Sequence, residues 1–335
     1  MRSRRLSRLA AGAGALRAGI YVSDDERGKN RGGTWCGAIA SAAYYAALEY
    51  CKARTQGREI TAKDPSSPQI PLIRHPDIRR MLLFQRAVVE GSLSLLLQCS
   101  LYEDRKKTVS DTERERYELL LDILTPVAKT YPSEMGILSV SQSIQCFGGY
   151  GYCEDFPVEQ HFRDMRIHPI HEGTTGIQAM DLLGRKVTMK KGAAFRAVSD
   201  EIRDCIRAAH EYPDLSSLAD RMEKALGDLE EVTVHLLGTA QKKGADVFLA
   251  DATLYLEFFG IVIIAWQWLL QAIAVQKALK RPLSAGESDF FAGKMFTARY
   301  FFAYELPKTG GLARRLREDD PLTLEMNPAF FNEPG

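Results

Sequence analysis

The chain has 335 residues, of which 45% are hydrophobic and 26% are charged, and both shares are ordinary for a globular protein. Composition therefore excludes a wholly disordered chain and a fibrous one, and the length suggests about two domains. The 44 basic and 43 acidic residues leave a net charge of +1. This balance gives no reason to expect a nucleic-acid partner, which usually requires a basic excess.

The six cysteines are sparse for this length, and none forms a C-x-x-C pair. This pattern argues against a disulfide framework and against a structural zinc site. It favours a reducing compartment. We therefore expect a cytoplasmic location, or the mitochondrial matrix if the source is eukaryotic.

Residues 1–33 form a basic N-terminal segment that we predict to be irregular. Five arginines and no acidic residue precede Asp24, and that composition is typical of a mitochondrial transit peptide. A solvated basic tail and an artificial start to a truncated chain are the alternatives that composition leaves open.

Four helices are predicted between residue 34 and the glycine pair at 148–149. Their evidence is helical spacing of apolar residues, a proline near the first turn of the fourth helix, and terminal glycines. They cover residues 34–54, 77–104, 112–129 and 132–148. The segment Tyr150–Thr174 is rich in glycine, proline and charge, and we predict it to be irregular.

Helix resumes from about Thr175 to Met189, and Lys190-Lys191-Gly192 is the predicted domain boundary. We therefore predict a helical bundle over 34–190 and a second helical domain over 191–335. An amphipathic stripe in the second domain indicates core packing; its members are Leu218, Met222, Leu229, Val232 and Leu236. Almost no stretch alternates apolar and polar residues as a half-buried strand does, so the predicted fold class is all-α.

Phe258–Val275 is the most apolar stretch, and its 18 residues make it a marginal membrane candidate. Gln267 and Gln271 lie four residues apart on one helical face and favour a buried bundle helix instead. We predict no membrane span.

Glu172 precedes Gly173 and Thr174, where the helix from Thr175 is predicted to begin. Thr174 can cap that helix, and the free N–H groups of a helix start favour an anion or a polarised carbonyl. A carboxylate beside such a group suits abstraction of a proton α to a carbonyl. The alternative is a surface glutamate that the helix dipole stabilises.

Two further features suit a phosphate-bearing ligand. Gly148, Gly149 and Gly151 let the backbone approach a ligand closely and present N–H groups to it, although a helix end also uses glycine as a cap. Arg54 ends the first predicted helix, where a guanidinium can clamp a diphosphate or merely complement the helix dipole.

Charged and imidazole groups crowd the segment before Glu172. Arg163, Asp164 and Arg166 are predicted to form an ion-pair network that fixes the loop. Three histidines lie in the same segment, but Pro169 prevents a simple helical pairing of them and no second acidic cluster has ligand spacing. We therefore predict no metal site.

Together these residues resemble the C-terminal portion of the acyl-CoA dehydrogenase family, because three motifs occur in the family's order. The motifs are Arg54-Thr55-Gln56-Gly57, Gln145 with Gly148-Gly149-Tyr150-Gly151-Tyr152, and Arg163-Asp164 through Glu172-Gly173-Thr174 to Ile177-Gln178. Residues 75–82 and 176–186 are similar to a subfamily that carries an extra C-terminal helical domain. That subfamily includes 3-methylmercaptopropionyl-CoA dehydrogenase.

The resemblance implies an FAD-dependent flavoprotein that oxidises an acyl-CoA thioester to a trans-2-enoyl-CoA. Glu172 would be the base that removes the α-proton, and its backbone N–H would bind the thioester carbonyl, with Gly173 beside the substrate. An electron-transfer flavoprotein would accept the electrons. The implied FAD-binding residues, often shared across a homodimer interface in this family, are Arg54, Gln56, Gly57, Gln145, Gly148, Gly149, Thr174 and Gly176.

The family also has an N-terminal helical domain and a middle β-barrel, and no segment before residue 34 resembles either one. We therefore expect a truncated chain. The alternative function is a non-catalytic helical module of the same family that dimerises or binds a partner. A DNA-binding flavoprotein of this architecture is a third possibility, which the net charge of +1 disfavours.

Overall fold

The structure is a computed structural model that describes residues 24–61, 64 and 66–332. Helices account for most of these residues, and among them β-pairing is limited to an isolated bridge between Thr55 and Pro71. The predicted all-α fold is confirmed. The chain divides into two compact units after Thr174.

The described part of the first unit is built from four α-helices. They are α1 (Asp24–Ala53), α2 (Pro76–Arg105), α3 (Asp111–Phe147) and α4 (Val158–Arg166). α1 packs against both α2 and α3, and α4 packs on α3 and α1. The shared core is apolar, and burial of its side chains stabilises the unit by about 25 cal/mol per Å² of apolar surface. Its buried members include Cys36, Tyr44, Met81, Val140 and Met165.

The start of α1 differs from the prediction. The helix includes residues 24–33. These residues were predicted to be irregular, because their glycines and charges show no apolar periodicity. The predicted transit-like segment before Asp24 lies outside the described residues. α2 confirms its prediction within one residue at each end.

α3 is one continuous helix of 37 residues, although a break was predicted before Pro132. Both Pro126 and Pro132 lie inside it, and each lacks the N–H that would bind the carbonyl four residues earlier. Residues 123–133 are nevertheless buried, and the Ser133 hydroxyl donates to the carbonyl of Lys129 at 3.0 Å. Tertiary packing therefore keeps the helix continuous through its prolines, and the prediction of two separate helices is wrong.

Gly33 lies where α1 passes the Ala128 carbonyl, which Pro132 cannot bind. A Cβ atom at Gly33 would overlap that carbonyl oxygen. A Cβ atom at Gly37, one turn further along α1, would find its nearest neighbour, a methyl group of Leu96, at 3.9 Å. The missing side chain at Gly33 thus allows α1 and α3 to approach each other closely.

We expect Gly33→Ala to lower the free energy of unfolding by about 1–3 kcal/mol, the usual cost of overpacking, because a helix carbonyl cannot move aside alone. Gly37→Ala should instead raise it by up to about 1 kcal/mol, because alanine favours the helix. Urea unfolding followed by far-UV circular dichroism measures both changes. Equal effects of the two substitutions would contradict the close contact at Gly33.

The segment Tyr150–Thr174 is not irregular throughout, because α4 occupies residues 158–166. Val158 and Met165 are fully buried on one face of this helix, and Phe162 packs beside them on the core. Spacings of four and three residues make this an apolar helical stripe. The many charges between these positions hid the stripe from the sequence reading.

The described part of the second unit is arranged around one apolar helix, α9, which contacts the helices α5, α6, α7, α10 and α11. The predicted stripe on α7 is confirmed, because all five of its residues are buried. The helices are α5 (Thr175–Asp181), α6 (Met189–His210), α7 (Ser216–Lys243), α8 (Ala245–Leu249), α9 (Ala252–Ala278), α10 (Ala285–Tyr300), α11 (Thr309–Leu316) and α12 (Leu322–Glu325).

α9 is long and apolar enough to cross a membrane, judged by length and composition alone. Yet 83% of its most apolar 18-residue window is buried within the protein. Gln267, whose polarity favoured a bundle helix, is fully buried in this packing. The observed packing agrees with the predicted buried bundle helix.

The chain changes conformation at the predicted domain boundary. Lys190, Lys191 and Gly192 have φ angles of 47°, 60° and 83°, which interrupt the helical backbone near the start of α6. The helix predicted over 175–189 also differs, because α5 ends at Asp181 and residues 182–186 form a π-helix. By contacts, however, the two units divide after Thr174, so residues 175–190 belong with the second unit.

Candidate active site

Glu172 lies near the end of the segment that joins α4 to α5. Its φ angle is 54° and that of Gly173 is 93°. A left-handed conformation in a residue other than glycine costs about 1–3 kcal/mol, so the surrounding structure must hold it in place. The Glu172 side chain is 46% exposed and therefore accessible to a ligand. Thr174 directly precedes α5, as an N-cap does, and Gly176 is the second residue of that helix in the second unit.

Two histidines connect the interior of the unit to Glu172. His168 Nδ1 lies 2.9 Å from His171 Nε2, and His171 Nδ1 lies 3.9 Å from a carboxylate oxygen of Glu172. Burial lowers the pKa of His168, and its neighbours His171 and Lys129 lower it further. His168 is therefore neutral near pH 7. In the part of the chain that the structure describes, no three His, Cys, Asp or Glu side chains are grouped to hold a metal.

Lys129 is a residue of this site that the sequence reading missed. Its Nζ donates to the carbonyl of His168 at 2.8 Å and to that of Gly173 at 2.7 Å. The side chain is only 1% exposed. The available signal was a lone lysine directly after the uncharged, mostly apolar stretch 123–128, but the predicted helix end at Lys129 indicated an ordinary terminal charge.

The turn at residues 54–57 is fixed by a short antiparallel contact. The N–H of Gln56 donates to the carbonyl of Ile70 at 3.0 Å, and His75 Nε2 lies 2.8 Å from the carbonyl of Gln56. Gly57 has a φ angle of 71°, and a Cβ atom there would lie 3.2 Å from the His75 ring. The backbone of the turn is thus constrained, while the side chains of Arg54 and Gln56 are exposed.

The glycine turn after α3 has an open backbone. Gly148 has a φ angle of 62°, and its N–H donates to the carbonyl of Gln145. Gln145 is itself an exposed residue. A Cβ atom at Gly148 or Gly149 would meet no atom within 4 Å, whereas one at Gly151 would lie 2.6 Å from the Ile144 carbonyl oxygen. The first two glycines therefore face open space, and Gly151 serves packing.

Aromatic packing brings these two motifs together. The Tyr50 ring, near the end of α1, stacks on the Phe147 ring at the end of α3, with 4.2 Å between centroids. The Arg54 guanidinium lies 5.8 Å from the centroid of the Tyr150 ring. Arg54 and the glycine turn at residues 148–151 therefore form one exposed surface, called the Arg54 surface below.

Glu172 lies toward the other end of α1. Lys129, which binds the carbonyl of Gly173, directly follows Ala128, and the Ala128 carbonyl lies against Gly33, about one turn before Cys36 in α1. Cys36 precedes Arg54 by 18 residues, and 18 helical residues span about 27 Å. Within one chain, the structure therefore places the Arg54 surface and Glu172 at well-separated positions.

The predicted ion-pair network does not form between its three members. Arg163 pairs instead with Glu159 on the same helix at 3.1 Å, and an exposed pair of this spacing contributes only about 0.3–0.5 kcal/mol. Asp164 acts on His168 through its charge alone. The loop before Glu172 is thus held mainly by Lys129 and by its own turns.

Two family models match the chain. The one described as "Acyl-CoA dehydrogenase, C-terminal domain" matches residues 17–187, about half of the chain. The one described as "Acetyl-CoA dehydrogenase C-terminal like" matches residues 198–327. The boundary that the sequence predicted at residue 190 falls between the two matches.

Similar proteins agree with these matches. The chain is 33% identical to a butyryl-CoA dehydrogenase of Syntrophomonas wolfei over 325 residues, which are 96% of this chain and 52% of that protein. It is 34% identical to the 3-methylmercaptopropionyl-CoA dehydrogenase of Ruegeria pomeroyi over 271 residues, 79% of this chain and 44% of that one. An acyl-CoA dehydrogenase of Bacillus anthracis, solved with FAD, shares the fold with a TM-score of 0.67 at 19% identity, over 91% of this chain and 50% of that one. The chain thus spans about half the length of the relatives it matches. It belongs to the acyl-CoA dehydrogenase family.

Proposed function

We propose that this chain serves the α,β-dehydrogenation of an acyl-CoA thioester to a trans-2-enoyl-CoA, with FAD as cofactor and Glu172 as the base. The observation that carries the proposal is the accessible Glu172 carboxylate, held in a left-handed backbone three residues before the helix that begins at Thr175. The relatives supply the reaction class, because those named above are acyl-CoA dehydrogenases.

Glu172 supplies two groups to the reaction. Its carboxylate takes the proton from the carbon α to the thioester. Among the described residues no acceptor binds its backbone N–H, so this N–H is available to the thioester carbonyl, where the charge of the enolate develops. Donors that are fixed in place before the reaction stabilise such a charge strongly.

The residues of the Arg54 surface fit a flavin dinucleotide. An exposed guanidinium suits a diphosphate, and the open backbone at Gly148 and Gly149 lets a nucleotide approach. A bound FAD would supply the acceptor for the hydride of the β-carbon, and an electron-transfer flavoprotein would take up the electrons. We assign Arg54, Gln56 and Gly57 to the diphosphate, Gln145, Gly148 and Gly149 to the adenosine, and Thr174 and Gly176 to the part of the cofactor near Glu172.

We further propose that two copies of the chain share these sites. The Arg54 surface lies at the C-terminal end of α1, whereas Glu172 lies beside the other end of that helix. A homodimer or a higher oligomer would therefore let one copy supply the base and the other copy supply the diphosphate clamp. All six cysteines are free thiols, which supports the proposed reducing compartment, the cytoplasm or the mitochondrial matrix of a eukaryote.

The test is the visible absorption spectrum of the purified chain after incubation with FAD, followed by butyryl-CoA without oxygen. Retained flavin that butyryl-CoA bleaches supports the dehydrogenase. Retained flavin that butyryl-CoA and longer acyl-CoA thioesters never bleach contradicts the proposed reaction and leaves a cofactor site alone. Loss of the flavin on gel filtration would favour the non-catalytic helical module.

We expect Arg54→Met to weaken FAD binding by about 10–100-fold, because a hydrogen bond to a charged partner contributes about 1.5–3 kcal/mol. Lys52→Met is the matched control, since Lys52 carries the same charge on the last turn of α1 but pairs with Glu49 at 2.9 Å. Quenching of flavin fluorescence on titration with protein gives both dissociation constants. Equal weakening by both substitutions would mean that only net charge matters.

A further inference from the structure

Lys129 ties together the two ends of the segment that carries Glu172. One of its two carbonyl partners, that of His168, comes four residues before Glu172, and the other, that of Gly173, comes one residue after it. A single ammonium group on α3 thus fixes both the entry to the left-handed backbone and its exit.

Packing alone does not require a charged side chain at position 129. A buried ammonium is costly unless it is paired, and Lys129 is 1% exposed. Glu134 and Glu172 act on it only through their charges, so the two carbonyl groups are its direct partners. A methionine of similar length would fill the same space without a buried charge.

We propose that Lys129 is a positioning residue that aims the carboxylate and the backbone N–H of Glu172 at the substrate. By binding the carbonyl of Gly173, it holds the two consecutive left-handed residues, Glu172 and Gly173, in one orientation. By binding the carbonyl of His168, it anchors the turn that precedes them. The inference rests on the proposed function, in which Glu172 is the base.

Lys129→Met tests this role in the full chain loaded with FAD. We expect the rate of flavin reduction at saturating butyryl-CoA to fall about 100-fold, because a displacement of about 1 Å at a reacting group has an effect of that size. The dissociation constants of FAD and of butyryl-CoA should change less than about threefold, since the Lys129 side chain is only 1% exposed and the change is confined to the orientation of Glu172. A purely structural lysine would not separate rate from binding in this way.

The segment itself provides a second readout that does not depend on catalysis. The N–H groups of Ile170 and His171 both donate to the carbonyl of Ile167, at 2.9 and 3.1 Å. In Lys129→Met their hydrogen exchange should become at least about tenfold faster, because the lost charge-assisted hydrogen bonds help to hold the turn closed.

Ser133→Ala is the matched control, because Ser133 is buried one turn along α3 and bonds only to that helix. It should change neither the rate nor the exchange at Ile170 and His171. If Lys129→Met does not fold, Lys129→Gln keeps N–H donors on a shorter side chain and is measured in the same way.

The outcomes separate this inference from the proposed function. An unchanged reduction rate in the Lys129 variant, or a loss explained by weaker binding of butyryl-CoA, overturns the positioning role. If the unmodified chain itself never reduces flavin, the proposed function fails, and hydrogen exchange alone decides whether Lys129 holds the segment. Unchanged exchange at Ile170 and His171 then refutes the inference, and faster exchange supports it.

Discussion

Replacing Glu172 with glutamine should slow the reduction of bound flavin by butyryl-CoA by about 10²–10⁴-fold, the range that a positioned general base contributes. Glutamine keeps the size of the side chain and its hydrogen-bonding ability, and it tolerates the φ angle of 54° no worse than glutamate does. What it loses is the ability to accept the α-proton. Stopped-flow absorbance of the flavin under anaerobic conditions measures the rate directly.

The same variant should also stop the exchange of the substrate's α-proton with deuterated water, since that exchange needs only the base. Glu159→Gln is the matched control, because Glu159 lies in the same unit and its carboxylate pairs with Arg163 at 3.1 Å. It should leave both rates nearly unchanged. A Glu172 variant that reduces flavin as fast as the unmodified chain would show that another group is the base.

The site of Glu172 was predictable from the sequence only in part. Its neighbours Gly173 and Thr174 and the helix after them were sufficient to predict a carboxylate at a helix start, and the structure places it there. Its left-handed backbone was not predicted, because a φ angle near 54° is rare for glutamate. That conformation depends on Lys129, which is 43 residues away in the sequence and which no local pattern connects to it.

The fold was predictable where one rule governed a segment. Helical spacing found α2 within a residue at each end, and the stripe on α7 is buried as expected. The errors occurred where tertiary packing overrode a local rule. Pro132 normally ends a helix, yet α3 continues through it because its flanking residues are buried and because the Ala128 carbonyl lies against Gly33.

The second unit should depend on one side chain more than on any charge pair at its surface. Trp268 is fully buried on α9, and the ammonium of Lys294 lies 5.9 Å from its ring centroid. Trp268→Ala should therefore lower the free energy of unfolding of this unit by about 3–5 kcal/mol, because it removes a large apolar contact and leaves a cavity.

The three tryptophans allow that loss to be assigned to its unit. Trp35 lies in the first unit and is 57% exposed, whereas Trp266 and Trp268 both lie on α9. In a Trp35→Phe background, fluorescence therefore comes from the second unit alone, and Trp266 still reports after Trp268 is replaced. Trp35→Phe itself should change the stability by less than about 0.5 kcal/mol, as exposed substitutions do.

Urea titration of Trp35→Phe with and without Trp268→Ala tests whether α9 is the centre of a buried core. If the helix is the centre of a buried core, the fluorescence midpoint of the Trp268→Ala variant moves to a much lower urea concentration at an unchanged slope, since the exposed surface sets that slope. A loss of stability below about 1 kcal/mol would contradict the core, because such a value is typical of an average site rather than of a buried tryptophan. The apolar surface of α9 would then have to be covered by something other than this core. By its length and composition, the helix would fit a membrane.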